Sequence, residues 1–300
     1  MATMALWTAV LLIYGVSTGI AMNYNKPGPS NNKPGPSNNK PGPSNNKPGP
    51  SNNAELQLDM APNSVDDMYS GCRNEMAKAV TTKYLENEKN KNSQFKEAWA
   101  MAETQYNKKW KKTIPAVGRE QTLAIYVYTF IKGDMHRPLN DAVRTQGRQY
   151  KTTFGYHALH FLLTDAIQSM NARRLSQLSD GEDKCLTVYR RVNGYFPQDV
   201  VNKPVRFGSF TSTSKGDYPN AEVFGTKSCF EIITCEGADV SMHSKFENEI
   251  EVLIPPYEVF KVKEVLQKSD EQPDLPCEVV YKLKSTGQPV SNLNCALFEN

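Results

Sequence analysis

Glu249-Ile250-Glu251-Val252-Leu253-Ile254-Pro255-Pro256 is the stretch on which the reading of this chain turns. Val252-Leu253-Ile254, closed by two prolines, has the form of a short buried β-strand that cannot continue past its end. Strand side chains alternate with period two, so Glu249 and Glu251 at its mouth point to the same side. A solvated surface strand can carry such a pair by chance, so the decision rests on what lies upstream. There the chain places Phe210-Thr211-Ser212-Thr213-Ser214 and, earlier, Val188-Tyr189-Arg190-Arg191-Val192. An arginine, a Ser-Thr-Ser segment and a Glu-x-Glu therefore follow one another in three β-rich runs.

The surrounding elements fall into two groups. Apolar spacing predicts helices over 66–90, 94–110, 120–131, 140–147 and 154–170. Met76, Val80, Tyr84 and Leu85 are the inward candidates of the first, and Phe95, Trp99 and Tyr106 those of the second. The 154–170 run is rich in Ala, Leu and Phe and is expected to bury one broad face. From Cys185 the period changes, with β-rich runs at 187–192, 205–213, 228–234, 250–254, 259–265 and 278–283 separated by Gly, Pro and Asn. Helices first and strands afterwards imply an α+β fold.

The ordered Arg-Ser-Glu residues, with Val-Leu-Ile-Pro-Pro behind them, resemble the signature of the arginine-specific mono-ADP-ribosyltransferases of vertebrate ecto-enzyme type. The resemblance runs from about residue 66 to residue 295. It implies a helical lobe packed on a β-sandwich core, with NAD bent in the cleft between them. NAD is then a substrate, and no permanently bound cofactor is expected. ADP-ribose moves from NAD to an arginine guanidinium of an acceptor protein, and nicotinamide leaves. Glu251 matches the family glutamate that stabilises positive charge on the breaking ribose. Glu249 matches the acid that holds the acceptor guanidinium, a poor nucleophile while protonated, and receives its proton. Arg190 matches the arginine that forks onto phosphate or ribose oxygens. Ser212 matches the serine that positions the ribose and braces Glu251. Phe224 follows as the family's aromatic does, where its ring can stack on nicotinamide. Asn140 and Arg144, in Asn140-Asp141-Ala142-Val143-Arg144, share a helix face and would reach the adenylate end.

The chain departs from the pattern at three places. Arg191 stands where relatives carry glycine, whose backbone lies near the nicotinamide amide. That contact survives if the Arg191 side chain turns outward. Ser209 stands where they commonly have the longer Gln. Ile250 replaces a frequent Glu and faces away from the two acids.

The ends and the composition set the context. Residues 1–21 hold a short apolar segment, Ala5 to Val16, then small residues, and read as a secretory leader although no Lys or Arg precedes them. Residues 22–60 form a linker in which Lys26-Pro27-Gly28-Pro29-Ser30-Asn31-Asn32 recurs from Lys33, Lys40 and Lys47. With nothing apolar to bury, that repeat is a spacer. Residues 61–300 are the expected catalytic domain. A hydrophobic tail that would direct a glycolipid anchor is not seen, so secretion without a membrane anchor is the expectation.

A net charge of +3 and no basic stripe give no argument for nucleic acid. Lys108-Lys109-Trp110-Lys111-Lys112 reads as a solvated helix end. Six cysteines behind a leader point to disulfides, and fifteen pairings are open. The family resemblance implies Cys72–Cys295 and Cys185–Cys235, leaving Cys229 and Cys277 to pair or to stay buried thiols. There is no Cys-x-x-Cys, and His157 with His160 lacks a third ligand in sequence, so no metal is expected. The chain has no Gly-x-Gly-x-x-Gly fingerprint for a Rossmann site and no Gly-x-Ser-x-Gly elbow for an esterase. Two other functions stay open: an NAD glycohydrolase with water as acceptor, and a catalytically silent secreted NAD-binding protein.

Overall fold

The computed structural model describes residues 55–111, 117–130, 135–244 and 250–298. The leader and the repeat lie outside them, and so does Glu249. Leu56 and Leu58 are already packed against the strands, and Leu56 N–H donates to the Tyr195 carbonyl at 2.7 Å. The packed body therefore includes residues ahead of 61.

The helical part begins with α1 (Arg73–Ala79), which runs through a π-helical turn at Val80–Tyr84 into α2 (Leu85–Lys91). Helix α3 (Ser93–Lys109) starts where the Asn92 side chain accepts the Phe95 N–H at 3.0 Å and ends in Lys108 and Lys109. Both ends suit the helix dipole and its orphan amides. The apolar helix α4 (Arg119–Thr129) is followed by α5 (His136–Thr145). Helix α5 opens four residues before the expected start at Asn140, because Pro138 sits in its first turn, where the missing N–H has no acceptor to lose. Helix α6 (His157–Ser176) extends past the expected 170 and is buried all round over 157–167 rather than on one face. Its first amides, on Ala158 and Leu159, donate to the buried carboxylate of Glu88 at 2.6 and 3.3 Å.

The strands are β1 (Leu186–Val192), β2 (Pro204–Val205), β3 (Thr211–Lys215), β4 (Ser228–Thr234), β5 (Ala238–Asp239), β6 (Glu251–Ile254), β7 (Phe260–Gln267) and β8 (Val279–Ser285), with the short helix α7 (Ala221–Phe224) between β3 and β4. They hydrogen-bond as one eight-stranded sheet in the order β2-β7-β8-β4-β1-β3-β6-β5. Only β4 and β8 pair in parallel. The expected α+β architecture, helices in the N-terminal part and strands in the C-terminal part, is the one observed.

The expected strand at 205–213 is split into β2 and β3. Gly208 between them takes φ 69, and a Cβ there would lie 2.4 Å from that of Ala61. The same break carries Arg206 inward, where its guanidinium meets Asp66 at 2.7 Å with both side chains at most 1 % exposed. Asp66 also accepts the Leu293 N–H at 3.0 Å, so one buried junction ties the domain entry, this break and the C-terminal segment together.

Two apolar bodies flank the sheet. The larger gathers the helices with Phe210, Ala238, Val240 and Leu253, so the helical part rests on the β3-β6-β5 end of the sheet. The second lies among the strands, built from Val188, Phe230, Ile232, Val252, Phe260 and Tyr281. All six cysteines are bridged: Cys72–Cys295, Cys185–Cys235 and Cys229–Cys277. The two pairs implied by resemblance are present, and the two cysteines left open pair with each other.

Candidate active site

The site forms where β1 and β3 part. Their ladder holds for Val188↔Lys215 and Tyr189↔Ser214 and goes no further. Arg190, the next residue, lies past the end of that ladder, and its guanidinium reaches back to β3. Its Nη1 donates to the Ser212 carbonyl at 2.7 Å, supplying a donor where the ladder no longer does. On the other side β3 stays paired with β6 in the register Ser212↔Leu253 and Ser214↔Glu251. Ser212 and Glu251 are thus diagonal neighbours on one face, within reach of each other. The Ser212 hydroxyl donates to Glu251 Oε1 at 2.6 Å. Three residues spaced along 62 positions of sequence are joined by two hydrogen bonds.

Glu251 is 4 % exposed. Burial pushes its carboxyl above the usual range; hydrogen bonds from Ser212 and Ser244 oppose this, and the charge of Asp239 adds to the rise. The Ser244 hydroxyl holds Oε2 at 3.4 Å. A carboxylate fixed on both oxygens in a desolvated place can stabilise positive charge that develops beside it, with little reorganisation.

A cleft of about 490 Å³ opens from Thr211 along Arg190, Ser209, Asn140, Arg144 and Arg137, with Phe207 and Phe196 as apolar wall. Guanidinium groups from β1 and α5 converge on it, which suits a diphosphate. Helix α5 is fastened to the strand entrance at two points. Arg144 Nη2 donates to the Ser209 hydroxyl at 2.5 Å. Asn140 Nδ2 donates to the Tyr128 hydroxyl at 3.0 Å, which donates in turn to the Phe210 carbonyl at 3.1 Å. Asn140 Oδ1 is buried without a partner among the described residues and is an acceptor open to a ligand hydroxyl or amine. Burial pushes the Tyr128 hydroxyl up to about 12, so it stays a neutral donor.

The sequence candidates are thus distributed as follows. Arg190, Ser212 and Glu251 come together, and Arg190 lines the cleft with Asn140, Arg144 and Ser209. Ser209, shorter than the Gln of relatives, is used as the acceptor for Arg144. Arg191 lies apart from the cleft. Its Nη1 donates to the Pro276 carbonyl at 2.7 Å and lies 3.3 Å from Cys277 Sγ, with the guanidinium 5.4 Å from the Tyr218 ring centre. It covers the third disulfide instead of the site. Phe224 ends α7, half-buried, and does not line the cleft. Glu249 falls outside the described residues. Of the two histidines weighed as ligands, His160 is occupied by Tyr69 Oη at 2.7 Å and the Val65 carbonyl at 3.0 Å.

Tyr128, Ser244 and Arg206 were not legible from the sequence. A tyrosine in the apolar run of α4 needs a partner for its hydroxyl, and that need was the one available signal for Tyr128. Ser244 and Arg206 carried none.

Comparison with known proteins identifies the family. The family model described as NAD:arginine ADP-ribosyltransferase matches residues 58–275. Ecto-ADP-ribosyltransferase 5 of Bos taurus is 35% identical over 246 residues, which is 80% of this chain and 73% of that protein. The erythroblast NAD(P)(+)--arginine ADP-ribosyltransferase of Gallus gallus is 34% identical over 213 residues, 69% of this chain and 67% of that one. The crystal structure of the eukaryotic mono-ADP-ribosyltransferase ART2.2 superposes with a TM-score of 0.62 at 31% identity, covering 81% of this chain and 100% of that chain. The fold and the buried carboxylate define a mono-ADP-ribosyltransferase type of protein. The chain belongs to the NAD:arginine ADP-ribosyltransferase family.

Proposed function

We propose that the chain transfers ADP-ribose from NAD to arginine side chains of acceptor proteins, releasing nicotinamide. The observation that carries this reading is Glu251, buried and held by Ser212 at 2.6 Å, with Arg190 fastened to the same serine's backbone. Arg190 and Arg144 clamp the diphosphate. Glu251 bonds the ribose 2′-hydroxyl and stabilises the oxocarbenium-like charge as the bond to nicotinamide breaks. Glu249 holds the incoming guanidinium in line and takes its proton as the new C–N bond forms. The setting is extracellular, as the relatives' designation as ecto-enzymes and the three disulfides support.

The test is a labelled-NAD assay with agmatine as acceptor. Glu251→Gln lowers both transfer and NAD hydrolysis by about 10²–10³ or more, the scale expected for a lost electrostatic stabiliser. Glu249→Gln loses transfer and keeps hydrolysis. Equal loss of both activities in the Glu249 variant contradicts the division of labour, and free ADP-ribose as the native enzyme's sole product favours the glycohydrolase.

A further inference from the structure

The cleft at Arg190 has a wall that comes from ahead of the expected domain boundary at residue 61. Residues 55–58 line it together with Arg190 and Arg144. Leu56 and Leu58 are buried while Glu55, Gln57 and Asp59 are exposed, so the segment runs extended with its apolar side on the second core body. It is fastened at both ends. The Leu56 N–H donates to the Tyr195 carbonyl at 2.7 Å, and the Arg206 N–H donates to the Asp59 carbonyl at 2.7 Å. Leu56 approaches Gly194 so closely that a Cβ there would lie 2.5 Å from Leu56 Cδ1. A segment held in this way is a fixed wall and not a loose linker end.

Its level along the sheet says which part of NAD it meets. Glu251 pairs with Ser214, and Ser214 with Tyr189, so the buried carboxylate is level with Tyr189 of β1. Arg190 comes next. The segment packs on Gly194 and Tyr195, beyond the last residue of β1. With the nicotinamide ribose at Glu251 and the diphosphate at Arg190 and Arg144, the part of NAD that reaches residues 55–58 is the adenosine. The chemistry of the wall agrees. Its outward side chains, Glu55 and Gln57, are a carboxylate and a neutral amide, with no cation to hold a phosphate. Phe196 and Phe207 line the same cleft and offer apolar faces to a planar base. We propose that residues 55–58 form the adenosine wall of the NAD site and that the Gln57 amide bonds the adenosine directly, which rests on the cleft holding NAD as assigned above.

The test uses the mature protein with Gln57→Ala and Gln57→Glu, both at an exposed position. Gln57→Ala is expected to raise KM for NAD and the calorimetric Kd for ADP-ribose about fivefold each, the scale of one lost hydrogen bond, with KM for agmatine and inhibition by nicotinamide unchanged. Gln57→Glu weakens ADP-ribose binding further, and the added loss shrinks as salt is raised. Unchanged ADP-ribose binding in both variants overturns the inference, as does an equal loss of nicotinamide inhibition, which marks distortion of the whole site. A native protein that binds ADP-ribose but never modifies agmatine overturns the transferase reading alone, because the calorimetric comparison at Gln57 still decides the wall. A native protein that binds no ADP-ribose overturns both.

Discussion

In its proposed role, Glu251 meets two opposing demands. It must be desolvated for its charge to act strongly, and it must stay ionised to act at all. Burial raises its proton affinity; the Ser212 and Ser244 hydroxyls restrain the rise, and Asp239 works against them. The sign of the consequence is fixed. Activity falls as pH drops through a carboxyl value above the ordinary 4.5, so the acid limb of kcat/KM lies higher than an exposed glutamate would give. Asp239→Asn keeps the acceptor for the Ser241 N–H and removes the like charge, so the acid limb moves to lower pH. A pH profile with an unmoved limb means that another group controls it. The sequence pointed to the three signature residues because their order is a local property of three strands. Ser244 and Tyr128 escaped it because what makes them matter is the neighbour each one meets.

At the scale of elements, the parting of β1 from β3 after Tyr189/Ser214 makes the site, and α5 closes one side of it. Arg144 both braces Ser209 and lines the cleft. Arg144→Ala is expected to raise KM for NAD about tenfold, roughly 1.4 kcal/mol, with kcat within about twofold when agmatine is saturating. A fall in kcat at constant KM makes Arg144 a strut for the strand entrance and not a ligand group. Helix existence was legible from apolar spacing, since Met76, Val80, Phe95 and Trp99 are all buried as expected. Boundaries were less so. The expected start at residue 140 falls four residues late, since Pro138 belongs inside the first turn of α5. The run 205–213 read as one strand because alternation cannot show that Gly208 turns left-handed and that Arg206 must reach Asp66.

For the whole molecule, buried titratable groups set how stability follows pH. Burial pushes Glu88 up to about 8 and Glu258 up to about 7, each against an ordinary 4.5. Folding then favours their protonated forms, and the stability they give below 4.5 is lost as pH rises through 7 and 8. Burial also lowers His157 to about 4 and His160 to about 3, against 6.5, so their contribution grows with pH and is complete near 6.5. The two trends oppose each other in acid; above pH 6.5 the carboxyl effect stands alone. Tm should fall between pH 6.5 and 8, with a shallower fall in Glu88→Gln. A Tm that rises over that interval would show that the amides of Ala158 and Leu159 keep Glu88 ionised.

The sequence by itself determined that helices come before strands, that an arginine, a serine and a Glu-x-Glu arrive in that order, and, through the family they resemble, how four of six cysteines pair. These properties rest on short-range geometry, the periods of a helix and a strand, and on motifs within a few residues. Only the tertiary structure decided that Ser212 and Glu251, 39 residues apart, share a hydrogen bond and that Arg191 turns to the Cys229–Cys277 bridge. Such contacts depend on sheet register and on where two strands separate. That is settled by the packing of the entire sheet against the helices, for which no local pattern of residues encodes the answer.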